Sequence, residues 1–163
     1  MSQDILNKLS LKPVGHYRGL GLIFDVYIDD VCLLDSIAEF EKRFDHKING
    51  AYTAGLGSYE IMHSMATINN QGQRFRPYVC DCGEWECWVL QGLITGFNDF
   101  VFWGQWRNPN RDDVDKKSQG LYWNYADFPI LCFDKQQYLT EVEKAQDLVR
   151  ADKESIKLLK LFS

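Results

Sequence analysis

The stretch WVLQGLITGFNDFVFWGQW, residues 88–106, decides the fold. Two apolar, aromatic-rich runs flank the turn-forming GFND at 96–99, and runs joined by Gly, Asn and Asp in this way form a β-hairpin. Pairing Thr95 with Phe100 sets Leu93 against Phe102 and Val89 against Trp106 on one side, with Ile94 against Val101 and Gly92 against Trp103 on the other. Both faces are then mostly apolar. Such a strand pair belongs in the middle of a fold, and Gly92 leaves room for the Trp103 ring to lie across it. On this pairing the tryptophans are core residues rather than ligand-stacking platforms.

Working outward, residues 3–10 are expected to form a short helix, and LGLIFDVYI (20–28) reads as a strand ended by a turn at Asp29 and Asp30. After VCLL, Ser36 with Glu39 three residues on fits a capping box, opening a helix through Phe44. Its apolar stripe, Ile37, Phe40 and Phe44, is interrupted by the charge of Glu41. NGAYTAGLGS (49–58) reads as a glycine-rich loop without the Lys-Ser/Thr ending of a phosphate-binding loop or the dinucleotide-binding glycine pattern. YEIMHSMATI (59–68) fits either a strand or a short helix.

Downstream of the hairpin, RNPNRDDVDKKSQG (107–120) is polar throughout, a solvated loop or a contact surface. LYWNYADFPILCF (121–133) returns to strand-like composition, and Asp134 with Gln137 makes a second capping box ahead of a long C-terminal helix. On that helix Tyr138, Val142, Ala145 and Val149 share one face, which Ile156 and Leu159 continue after the charged break RADKES. No repeat or linker divides the chain. Residues 1–163 therefore read as a single α+β domain with a mostly antiparallel central sheet, a capped helix after the first strand and a long C-terminal helix.

The chain has 163 residues and is 45% hydrophobic, enough for a domain that buries roughly two-thirds of its unfolded surface. Its net charge of −5 argues against general binding to nucleic acid or anionic membrane, either of which needs a surplus of Lys and Arg. A basic partner suits it better. The N-terminal residues lack the basic and apolar regions of a leader, and no apolar run approaches a bilayer span, so a cytoplasmic location is expected.

The chemistry-bearing stretch is YVCDCGEWECW (78–88), which holds three of the five cysteines. Cys80 and Cys82 would point to one side of a strand end, and Gly83 would let Cys87 return towards them. Zinc needs a fourth ligand, which would have to be Cys32, Cys132, His16, His46 or His63, and the Cys-x-Cys-x4-Cys spacing is not that of the common paired sites. A structural metal on Cys80, Cys82 and Cys87 stays open. Thiol catalysis is disfavoured, because Asp81, Glu84 and Glu86 raise a neighbouring thiol's pKa and no histidine or lysine lies inside the stretch. The simplest reading packs these cysteines against Trp85 and Trp88 with no cofactor at all.

These residues also carry a resemblance. RFRPYVCDCGEWECW, VFWGQWRNPNR and WNYADFPILCFDKQQY resemble a group of uncharacterised bacterial proteins with a Cys-x-Cys-Gly-Glu-x-x-Cys-Trp segment, a Trp-containing strand, an Asn/His-Pro loop and Phe-Asp-x-x-x-Tyr before a helix. FDVYIDDVCLLD looks like that group's opening strand and turn. In size and composition the group is similar to small bacterial immunity proteins, which implies a non-enzymatic protein that neutralises a basic toxin domain by direct binding. The candidate contact acids are then Asp25, Asp29, Asp30, Asp35, Glu39 and Glu41, with Asp112, Asp113 and Asp115 as a second group. The alternative is a small zinc-binding protein built on the cysteine stretch.

Overall fold

In the computed structural model the residues described are 6–45, 52, 55–80 and 89–162. The hairpin forms as β5 (Val89–Phe97) and β6 (Phe100–Arg107), but in a register two residues from the one expected: Phe97 pairs with Phe100 and Ile94 with Trp103. The turn shrinks to Asn98-Asp99, with Asn98 at φ 53°, a region that Asn enters more readily than most residues. Because side chains alternate with a period of two, this slip leaves each of them on its expected face.

That holds only as far as Gly104. Gln105, at φ 46°, opens a β-bulge in which Gly92 stands opposite both Gln105 and Trp106. The extra residue turns Trp106 onto the same buried face as Trp103, against the expected split. Gly92 consequently makes room for Trp106 rather than Trp103. A Cβ there would stand 2.7 Å from Phe75 Cε1 and 2.9 Å from Trp106 Cζ3.

Among the described residues the strands form two antiparallel sheets. One has the order β4-β5-β6-β7, with β4 at Gln73–Val79 and β7 at Leu131–Asp134, which makes the hairpin its two central strands. The other joins β1 (Leu9–Tyr17), β2 (Gly21–Ile28) and β3 (Val31–Cys32). The fold class is α+β as expected. Where the short helix over 3–10 was expected, residues 9 and 10 open β1 and Asn7 bridges to β7. The Asn7 amide oxygen takes the Cys132 N–H at 2.9 Å, so long-range pairing overrides local helix preference.

Helix α1 spans Leu33–Glu41, one turn earlier than the Ser36 capping box implies. Its N-cap is Cys32, which makes no side-chain cap bond. Starting early adds Leu33 to the buried stripe of Ile37 and Phe40, and burying a leucine is worth about 1.5–3 kcal/mol against about 1 kcal/mol for a cap. The ambiguous 59–68 segment is helical, as α2 (Ser58–Met62) and a 3-10 turn at Ser64–Ala66. Residues 107–120 contain two exposed 3-10 turns.

Of the strand expected over 121–133, only Leu131–Cys132-Phe133 joins β7; the rest is irregular. Its aromatics are nonetheless buried: Trp123 stacks on Phe44 at 5.3 Å, while Tyr125 and Phe128 lie 5.5 and 5.1 Å from Phe40. Aromatic content here marks packing, which β propensity largely measures, rather than strand backbone. Helix α3 (Lys135–Arg150) buries the expected Tyr138, Val142, Ala145 and Val149, and α4 (Lys153–Leu159) follows the break at Ala151 and Asp152. Asp134 caps α3 by accepting from Gln137 N at 3.0 Å. The Gln137 side chain, instead of closing the box, pairs with both backbone groups of Leu9 at 3.1 and 2.7 Å. At the centre, the fully buried Trp103 packs on Phe75, Phe133 and Tyr138, and its N–H donates to the Tyr138 hydroxyl at 3.3 Å. No helix among the described residues is long and apolar enough to cross a membrane.

Candidate functional site

The candidate contact acids fall on two parts of the fold. Asp25 is half-buried on β2, where it pairs in register with Lys12 of β1. Asp29 and Asp30 form the two-residue β2–β3 turn, both at positive φ (52° and 68°), and both exposed. Asp29 is also structural, since its carboxylate accepts from the Asn7 side chain at 2.7 Å and from Lys8 N at 2.8 Å. Asp35 and Glu39 follow on the exposed face of α1, and the exposed Val31 lies between them and the turn. Asp112, Asp113 and Asp115 are exposed after β6, where Arg107 pairs with Asp112 at 3.7 Å and Lys116 with Asp113 at 3.9 Å.

Glu41 does not belong with them. It is fully buried, and its Oε2 accepts hydrogen bonds from the Tyr52 hydroxyl at 2.8 Å and from the Tyr125 hydroxyl. Burial raises its carboxyl above the usual range, and the two phenol bonds oppose that rise. The charge interrupting the α1 stripe was the sequence signal of this site. What the sequence could not show is that two tyrosines from other parts of the chain both bond to Oε2, while Oε1 is buried without a hydrogen-bond partner among the described residues.

Of the metal candidates, Cys82 and Cys87 lie outside the described residues, as does His46. Cys80 is buried where it bridges to Tyr52. The remaining candidate ligands sit on separate elements. Cys32 ends β3, Cys132 lies on β7, His63 packs at a tilt against Tyr59 with ring centroids 4.6 Å apart, and His16 Nε2 is 2.7 Å from Asp152 Oδ1. Among the described residues, no group of three or more His, Cys, Asp and Glu side chains is placed to hold a metal ion.

The His16–Asp152 contact continues into a serine. Ser155 Oγ donates to Asp152 Oδ2 at 2.6 Å and accepts from Leu22 N at 2.8 Å, while Ser58 Oγ donates to Leu22 O at 2.6 Å. Although the residue types match a hydrolase triad, the roles do not: the serine gives its proton to the carboxylate rather than to the histidine, and it is fully buried. These bonds cap α4 and fasten it to β2 and α2.

A group the sequence did not single out lies at Glu60 on α2. Its side chain is 10% exposed and pairs with Arg76 of β4 at 3.8 Å, while Oε2 has no hydrogen-bond partner among the described residues. Burial raises this carboxyl too, against the opposing pull of Ser64 and Arg76. Glu60 and Arg76 line a cavity of about 350 Å³ whose other walls include Leu20, Gly57, Val79 and Leu158. They also line an adjoining, more polar cavity of about 250 Å³ that reaches Arg74 and Gln91. Nothing in YEIMHSMATI marks Glu60 as different from a surface acid, because its partner arrives from another element. No family model, curated protein or solved structure matches the chain.

Proposed function

We propose that this chain is a non-enzymatic bacterial binding protein of the immunity or antitoxin kind, acting in the cytoplasm by capping a basic toxin domain. The observation that supports this most is the acidic edge formed by residues 25–39. A two-residue turn tied down by Asn7 and Lys8 presents Asp30, the exposed Val31 follows it, and Asp35 and Glu39 extend the edge along α1. A fixed acidic edge around an apolar side chain is suited to a cationic protein surface, since charge complementarity speeds encounter and an apolar contact then holds the complex. Asp112, Asp113 and Asp115 form a second contact region in this reading, where two of the acids already face cations, as Glu39 of the first region faces Lys42 at 3.0 Å.

Co-expression with the product of the adjacent gene tests the proposal. The expected result is a stable complex and relief of toxicity, with Asp30→Lys combined with Asp35→Lys lowering the association rate and its salt dependence. Neither a complex nor protection would end it. A complex indifferent to both charge reversals would move the contact away from this edge.

A further inference from the structure

We infer that the outer face of the four-stranded sheet is a contact surface for a second copy of this chain, the two pairing about a two-fold axis that crosses their strands. The inner face of the central hairpin is buried in the core through Ile94, Val101 and Trp103. Its outer face carries Leu93, Phe97, Phe100 and Phe102, and Ile130 lies over Gly104 beside them, its Cγ1 3.3 Å from where a Cβ would stand. An antiparallel sheet with one open face ordinarily turns polar residues outward, and this one does not. Phe97 and Ile130 are 65% and 68% exposed, and the rings of Phe100 and Phe102 lie side by side with centroids 6.5 Å apart. A contiguous apolar patch of this kind marks a contact surface.

The charges at the two ends of the face select the partner. At one end stand Arg74, which pairs in register with Leu93, and Arg107, which pairs with Gln91; Asp112, 3.7 Å from Arg107, is the one carboxylate against these two cations. Arg107 lies close enough to oppose the charge of Arg74, whose guanidinium donates to the Gln105 carbonyl at 2.8 Å. At the other end, the hairpin tip, Asp99 and Asp134 stand with the single cation Lys135. Among the described residues no carboxylate pairs with Arg74 and no cation with Asp99. A cationic domain would be repelled at the arginine end, whereas a second copy complements itself. An axis crossing the strands between Phe102 and Gly104 carries Asp99 of each copy towards Arg107 of the other, and Phe102 towards Ile130. Four strands about 4.8 Å apart, over about six residues of length, give a footprint of roughly 400 Å² per copy. That is about half the footprint of a standard interface, so the dimer is weak and concentration-dependent. It goes beyond the toxin-binding reading and does not depend on it.

Sedimentation velocity on the full chain, from about 5 to 500 µM, reads the association. A monomer–dimer equilibrium is expected, and Phe97→Asp, at an exposed position on the tip, should abolish it. Leu148→Glu, exposed on α3 on the other side of the sheet, should leave it unchanged. Asp99→Lys and Arg107→Glu should each weaken the dimer about tenfold, because each sets like charges together at both ends of the two-fold. Mixing those two variants should restore it, since every end then meets its opposite. A chain monomeric throughout the range, a dimer lost in Leu148→Glu but kept in Phe97→Asp, or a mixture no tighter than its separate parts would overturn the inference. So would masking of Phe97 by the adjacent gene's product while the chain alone stays monomeric. If Arg107→Glu does not fold, the wild type compared with Phe97→Asp and Leu148→Glu still decides the face.

Discussion

Gly92→Ala is the substitution that most directly tests how the central hairpin is built. The glycine is not at positive φ, so its backbone suits alanine, and the effect isolates packing. The new methyl would stand 2.7 Å from Phe75 Cε1 and 2.9 Å from Trp106 Cζ3, both ring atoms of buried side chains. Forcing a methyl into such a core costs about 1–3 kcal/mol. The loss of unfolded-chain entropy offsets about 0.4–1 kcal/mol, leaving a net destabilisation of about 1–2 kcal/mol. Urea denaturation followed by tryptophan fluorescence reads this as a lower midpoint at unchanged slope. In a Trp106→Phe background the ring atoms facing Gly92 are gone, and the cost of Gly92→Ala should fall by about 1 kcal/mol. In a Trp103→Phe background it should not. A neutral or stabilising Gly92→Ala would refute the packing, and coupling to Trp103 instead of Trp106 would refute the bulge at Gln105.

Three further outcomes are expected. Glu41→Gln keeps an acceptor for the two tyrosines and should change stability by no more than about 1 kcal/mol at neutral pH, whereas Glu41→Ala removes the acceptor that the two phenols share and leaves a cavity, and should cost about 2–5 kcal/mol. Because the folded carboxyl is raised above its unfolded value of 4.5, the wild type should lose stability relative to Glu41→Gln as pH rises above 4.5 through the folded pKa; parallel pH profiles would contradict this. His16 is raised by its hydrogen bond to Asp152, so its stabilisation of the α4 junction is present below its unfolded value of 6.5 and disappears as pH rises through the folded value. Thermal unfolding of His16→Ala should lack that decline. Protein purified without chelator should contain no stoichiometric zinc; one equivalent lost on Cys82→Ala and Cys87→Ala would instead establish the zinc-binding alternative.

Much of the scaffold was legible because local chemistry and long-range packing agree there. The hairpin, the strand at Gly21–Ile28, the turn at Asp29 and Asp30, and the buried face of α3 each have a pattern that satisfies both. Where local signals competed with burial, burial prevailed: Leu33 drew the start of α1 past its capping box, and Trp123, Tyr125 and Phe128 filled the core without forming a strand. The candidate sites were less legible. Exposed acids such as Asp30 and Asp35 could be named from composition, since nothing else in the fold is needed to put a charge in water. Glu41 showed only as a charge interrupting the α1 stripe, and was grouped with the surface acids, while Glu60 did not show at all, because a buried carboxyl is defined by what reaches it. For Glu41 those groups are the hydroxyls of Tyr52 and Tyr125; for Glu60 the neighbour is Arg76, and only the folded chain brings them together. By itself, then, the sequence determined the central hairpin, the strand at Gly21–Ile28, the long C-terminal helix and the exposed acids. The tertiary structure decided the bulge that turns Trp106 inward and the pairing of buried charges, since both depend on contacts between residues far apart along the chain.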